Sequence, residues 1–129
     1  MATIPTRNSG TRSLNKRQIG TRFEIIARDF LQHHGLIFID QNCYFKGGEI
    51  DLIMQDGLCW VFVEVRFRRN SHFGSAAATV NSSKQQRLIT SAMLWLQRQG
   101  LNPETEEYRF DIFAITGQEK QWITHVFGA

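Results

Sequence analysis

The chain has 129 residues, 42% of them hydrophobic, with ten Phe and three Trp. That length and apolar content support one packed core without disulfide staples and exclude a disordered chain. The formal net charge is only +3, yet the charges are segregated along the sequence, and no apolar run is long enough for a membrane-spanning helix.

Residues 1–13, rich in Thr, Ser, Gly and Arg, read as a flexible leader to a single domain over residues 14–129. The leader is basic but lacks the apolar stretch of a secretory signal. Cys43 and Cys59, the only cysteines, sit outside any paired-ligand motif, so a cytoplasmic, reducing setting is expected. From Leu14 to His34, Ile19, Phe23, Ile26, Ala27, Phe30 and Leu31 recur at three- and four-residue spacing. This is the apolar stripe of a helix stopped at Gly35. Asn15 and Gln18 have the spacing of a capping box.

Leu36 to Ile39 and its neighbours predict a first strand, and Lys46-Gly47-Gly48 a bend before a second strand containing Glu49 to Ile53. Asp56-Gly57 is a hairpin signal, because both residues tolerate the left-handed backbone of a tight turn. A third strand, Leu58 to Phe67, is apolar on both parities except at Glu64 and Arg66, which suits a central position. Asn70 to Val80 reads as a loop. A second helix begins near Ser82, capped by Ser82 or Asn81, and Gly100 and Pro103 end it. Tyr108–Ile115 and Gln121–Phe127 complete the strands. The order α-β-β-β-α-β-β predicts an α/β fold with a mixed sheet of about five strands packed by helices.

A two-residue loop at Asp56-Gly57 would set Gln55 opposite Leu58, Asp51 opposite Phe62 and Glu49 opposite Glu64. Glu49, Asp51, Glu64 and Arg66 then share one face, while Ile50, Leu52, Val61, Val63 and Val65 share the other. Acidic side chains inside apolar strands are costly unless compensated. Two carboxylates at diagonal spacing could share Mg²⁺ or Mn²⁺. Equally, Asp51, Glu64 and Arg66 could form an ion-pair network at a sheet edge. Glu24, at the margin of the first helix's stripe, is a third acid for that site, a solvated helix glutamate, or a partner for Arg28.

Residues 1–20 carry Arg7, Arg12, Lys16 and Arg17 without an acid, and residues 66–98 carry Arg66, Arg68, Arg69, Lys84, Arg87 and Arg98 without one. Basic surface beside an acidic cluster suits a gripped polyanion. Lys84, Gln85 and Arg87 fall in the first turns of the second helix, where cations oppose the helix dipole; a phosphate ligand or plain solubility would account for them. Asp111, inside an apolar strand, is assigned a structural hydrogen-bonding role. The four His residues lack zinc-ligand spacing.

Gly20-x-x-x-Glu24-x-x-Ala27, Gly48-Glu49-Ile50-Asp51-Leu52-Ile53, Phe62-Val63-Glu64-Val65-Arg66, Phe73-Gly74, Lys84 and Arg109-Phe110-Asp111 together resemble the YraN-like family of uncharacterised bacterial proteins, within the PD-(D/E)XK nuclease superfamily. The resemblance covers roughly residues 15–127. It implies a restriction-endonuclease-like core related to archaeal Holliday-junction resolvases, and DNA, branched DNA included, as partner. It implies that Asp51 and Glu64 hold Mg²⁺ or Mn²⁺ with help from Glu24, and that Arg66 stands where the superfamily normally has lysine. Arginine keeps the charge but does not readily release a proton. Resolvase-like cutting would favour a two-fold homodimer. Three readings therefore stand together: a metal-dependent DNA endonuclease using Glu24, Asp51, Glu64 and Arg66, with Arg68, Arg69, Lys84, Gln85 and Arg87 along the nucleic acid; a nucleic-acid-binding protein that has lost catalysis; and a structural or partner-binding protein.

Overall fold

The computed structural model describes residues 15–72 and 74–127. The expected leader and Phe73 of the Phe73-Gly74 pair lie outside them. Among the described residues two helices and five strands follow in the expected order: α1 Lys16–His33, β1 Ile37–Phe45, β2 Gly48–Asp56, β3 Cys59–Arg68, α2 Ser82–Arg98, β4 Tyr108–Thr116 and β5 Glu119–Ile123, with a 3-10 turn at Ala77–Thr79 before α2. The sheet order is β1-β2-β3-β4-β5. All neighbours are antiparallel except β3 and β4, which run parallel because α2 carries the chain back across the sheet. β3 therefore holds the centre. Among the described residues no helix is long and apolar enough to cross a membrane.

α1 begins with both arms of a capping box: the Asn15 side chain accepts from the Gln18 N–H, and Gln18 accepts from the Asn15 N–H. At α2 the cap is Asn81, accepting from the Lys84 N–H, with Ser82 already helical. The two helices pack on opposite faces of the sheet. Ala27 and Leu31 of α1 meet Leu52, Met54, Val61, Val63, Phe113 and Ile115. Leu88, Ala92, Trp95 and Leu96 of α2 meet Ile50, Ile53, Phe62 and Phe110. Both cysteines are free, and burial pushes the Cys43 thiol up to about 12 and raises that of Cys59, so neither is a thiolate nucleophile.

The β2–β3 turn differs from the expected one. Asp56 pairs with Cys59, so the loop is Gly57-Leu58, with Gly57 in the left-handed region at φ +62°. Asp56 stays in the strand because its carboxylate accepts from Arg109 Nη1 at 3.0 Å. The pairing moves by two residues, which preserves the parity of β3 against Ile53 and Gln55. Carried one step past Leu52↔Val63, the register brings Asp51 level with Glu64 rather than Phe62.

The expected face assignment fails at the start of β2. Ile50 packs on the α2 side, as does Ile53, whereas Leu52 and Met54 face α1. Strict alternation therefore breaks at Asp51. Opposite it on β1, between Gln41↔Leu52 and Cys43↔Ile50, lies Asn42 with φ +54°. A left-handed residue turns the pleat over, so beyond this point β1 and β2 present the other parity to each helix. Gly48 now lies against α2, where an added Cβ would come within 2.9 Å of Ser91 Oγ. Glu49 is turned to the α1 side, where it shares a shallow hollow with Arg17, Glu24, Asn42 and Tyr44; it does not share a face with Glu64 and Arg66.

Asp111 is fully buried. Arg109 Nε donates to its two oxygens at 3.1 and 3.2 Å, Trp122 Nε1 donates at 2.9 Å, and the His125 N–H at 3.2 Å. One carboxylate thus ties together β4, β5, the segment after β5 and, through Arg109 and Asp56, the β2–β3 turn. Removing one partner of such a network leaves buried polar groups unmatched. Asp111→Ala is expected to cost about 3 kcal/mol in urea unfolding, and a loss below about 1 kcal/mol would contradict this anchoring.

Candidate functional site

β2 and β3 part beyond Leu52 and Val63, and their last paired residues are followed by a fork rather than by further ladder. The Val65 N–H at the fork is satisfied by a side chain: it donates to Asp51 Oδ2 at 2.9 Å. Asp51 is thereby drawn between the strands and is 9% exposed. Its carboxyl also hydrogen-bonds that of Glu64. Glu64 in turn accepts from Arg66 Nη2 at 2.7 Å. The i, i+2 spacing on one strand puts Glu64 and Arg66 on the same face. The Arg66 Nε is buried without an acceptor.

These groups floor an open cleft of about 860 Å³. α1 supplies one wall with Gly20, Phe23 and Glu24; α2 supplies the opposite one with Lys84, Arg87 and Leu88; Tyr44 and Gly48 close the hairpin end, and Phe67 extends β3 past Arg66. Of the residues singled out in the sequence, Glu24, Glu49, Asp51, Glu64, Arg66, Lys84 and Arg87 come together here. Arg68, Arg69, Gln85 and Asp111 are not in the lining, and the Gln85 amide donates instead to the Val80 carbonyl at 3.1 Å. The Lys84 charge reaches Glu64 and lowers its proton affinity.

Electrostatically the cleft is strained toward binding positive charge. Burial, then the charges of Asp51 and Glu49, push Glu24 up to about 7, against the pull of a hydrogen bond from Asn42. Burial, then the neighbouring Glu64, raises Asp51 despite the Val65 N–H. Burial raises Glu64 as well, outweighing Arg66, Asp51 and Lys84. Two acids in contact at neutral pH hold a proton between them. Anything that supplies positive charge at that spot can take the proton's place. Among the described residues no three His, Cys, Asp or Glu side chains form a ready ligand cluster; the acid centre is a pair, and the charge of Asp51 reaches Glu24.

Sequence reasoning missed Asn42, whose left-handed backbone turns the strand over and whose side chain lowers the proton affinity of Glu24. The only sign of it was the tolerance of Asn for that conformation. Tyr44, Phe23 and Phe67 were also missed as cleft residues, because aromatic residues on strands and helix stripes usually signal core.

Comparison with known proteins places the chain among relatives along nearly its full length. A family model described as "Uncharacterised protein family UPF0102" matches residues 23–115. A UPF0102 protein of Yersinia enterocolitica is 51% identical over 116 residues, covering 90% of this chain and 99% of its own length. The UPF0102 protein YraN of Shigella flexneri serotype 5b is 49% identical over 127 residues, covering 98% and 97%. YraN of Escherichia coli O17:K52:H18 is 48% identical over the same span.

The raised carboxyls fix the sign of a pH effect. A carboxyl that holds its proton more tightly when folded favours the folded state at low pH, and that advantage is lost as pH climbs from its unfolded to its folded value. For Glu24 that window runs from 4.5 to about 7, and Asp51 shifts the same way. Urea unfolding should therefore show stability declining from about pH 5 to about pH 8, with a shallower decline in Asp51→Asn. Parallel profiles for the two proteins would contradict the shared-proton arrangement.

Proposed function

We propose that this chain, which belongs to the uncharacterised protein family UPF0102 and has a fold resembling restriction-endonuclease-like proteins, is a divalent-metal-dependent DNA endonuclease that acts on branched DNA. The observation that carries this reading is the Asp51–Glu64 carboxyl pair, in hydrogen-bond contact at the fork of β2 and β3, in a cleft whose α2 wall holds Lys84 and Arg87. Oxygen-only donors with an excess of negative charge fit a hard cation. Asp51 and Glu64 would hold Mg²⁺ or Mn²⁺, with Glu24 assisting. Such an ion, when bound, supplies polarisation of a phosphoryl oxygen and a more acidic water.

The chain's own groups do the rest. Glu24, raised to about 7, can accept or return a proton near neutral pH. Arg66 lines the cleft, where its guanidinium can donate to a phosphate oxygen. Its guanidinium neutralises charge gathering on that phosphate but does not act as a base. Lys84 and Arg87 hold the backbone on the α2 side, and Arg68 and Arg69 serve flanking nucleotides outside the cleft.

One observation favours a second reading, in which nucleic acid is bound and not cut. Arg66 is paired with Glu64 at 2.7 Å, so the cation of the site already occupies one of the two carboxylates. Lysine at this position would free part of that grip and restore a shorter, single-point donor.

Calorimetric titration with Mn²⁺ separates these readings. The wild type is expected to bind one ion, and Asp51→Ala to bind at least about tenfold more weakly, since even outer contacts of a metal site carry about that much affinity. Equal binding by both proteins, or binding by neither, would contradict the endonuclease reading. Cleavage of branched DNA that is undetectable in the wild type and gained in Arg66→Lys would establish the second.

A further inference from the structure

Two aromatic side chains in the cleft have no part in that chemistry. Phe67, immediately after Arg66 on β3, is 39% exposed, and Tyr44, near the end of β1, is 62% exposed. Both line the same cleft as Asp51 and Glu64. A single exposed aromatic is ordinary on a protein surface; two facing one charged cleft are a patterned surface. Phe67 is also held in place. Phe23 of α1 stacks on it, with ring centroids 4.0 Å apart and planes 14° from parallel, and Phe23 itself packs on the α1-side core. One face of the Phe67 ring is therefore backed by protein while the side chain still reaches solvent.

Phosphate gains nothing from an aromatic surface; a base does. In a duplex the base faces are consumed by their own stack and only edges are presented, whereas an unpaired nucleotide offers its whole face. The charge distribution agrees. Tyr44 shares its hollow with Glu24 and Glu49 as well as Arg17 and Asn42, an acidic rim unsuited to a phosphate backbone. The cations Lys84 and Arg87 stand on the α2 wall. A strand lying in the cleft with its phosphates toward α2 turns its bases toward the aromatic side.

The geometry points to unpaired nucleotides as the unit this cleft takes, with one base stacked on Phe67 and another on Tyr44. This inference rests on the phosphodiester-cleaving reading and adds to it the substrate class: flaps, gaps and opened junction arms in preference to intact duplex. Phe67 and Tyr44 then select substrate and touch no reacting atom.

Fluorescence anisotropy in EDTA, with the full chain and three labelled DNAs, tests it: a single strand, its blunt duplex, and that duplex carrying an unpaired flap. The wild type is expected to bind the strand and the flap more tightly than the duplex. Phe67→Leu and Tyr44→Leu, which keep apolar bulk without a ring, should each weaken strand and flap binding about tenfold, the scale of one lost base stack. Neither should alter duplex affinity or the salt dependence, whereas Arg87→Ala should flatten the salt dependence on all three. Tyr44, being so exposed, reports even if the Phe67 variant folds poorly. Equal affinity of the wild type for strand and duplex, or equal weakening on all three DNAs, would overturn the inference. The two readings fail separately: Asp51-dependent cutting confined to intact duplex would remove this one and leave the endonuclease, while ring-dependent strand binding without a metal effect would do the reverse.

Discussion

The structure turns on one substitution of partners: where β2 stops pairing with β3, the Asp51 carboxylate takes the Val65 N–H. A backbone donor in a central strand must be satisfied, and here an acid satisfies it. That bond draws the carboxylate away from bulk water and holds it against Glu64. Burial then raises both proton affinities, and at Asp51 the charge of Glu64 adds to it. The cleft, the acid pair and the appetite for a cation all follow from the place where the ladder ends.

Across the strand pair from Asp51 lies Asn42. Its left-handed backbone turns the pleat of β1, and β2 follows, sending Ile50 and Gly48 to α2 and Glu49 toward α1. The consequence is a site with two unlike sides. Toward α2 stand Arg66, Lys84 and Arg87; toward α1 stand Glu24, Glu49 and the aromatic rings. A ligand with one charged and one flat, uncharged side fits such a division, and a nucleotide chain has that form.

Much of the architecture was legible in the residues. The apolar stripe of α1 with its Asn15–Gln18 box, the doubly apolar β3 and the α-β-β-β-α-β-β order each follow from periodicity and capping that local physics enforces. The hairpin loop was not, because Asp56-Gly57 and Gly57-Leu58 are both compatible with a tight turn, and a long-range bond from Arg109 decides between them. The error moved the pairing by an even step, so β3 kept its parity against Ile53 and Gln55. Glu49 and Ile50 were misplaced for another reason: the alternation rule assumes an unbroken pleat, and nothing local announces that Asn42 will break it. At α2 the competition between Asn81 and Ser82 was likewise settled by geometry, since only Asn81 reaches the Lys84 N–H.

The Glu64–Arg66 pair is where the resemblance and the geometry press on each other. Lysine at that position would leave Glu64 a freer ligand; arginine binds it, and leaves its own Nε without an acceptor. Crystals soaked in Mn²⁺ at mildly alkaline pH, with anomalous data collected at the manganese edge, examine that contest at its source. A peak shared by the Asp51 and Glu64 oxygens, with Arg66 swung off Glu64, is what a metal-dependent site requires. An empty map over an intact Glu64–Arg66 pair would contradict it.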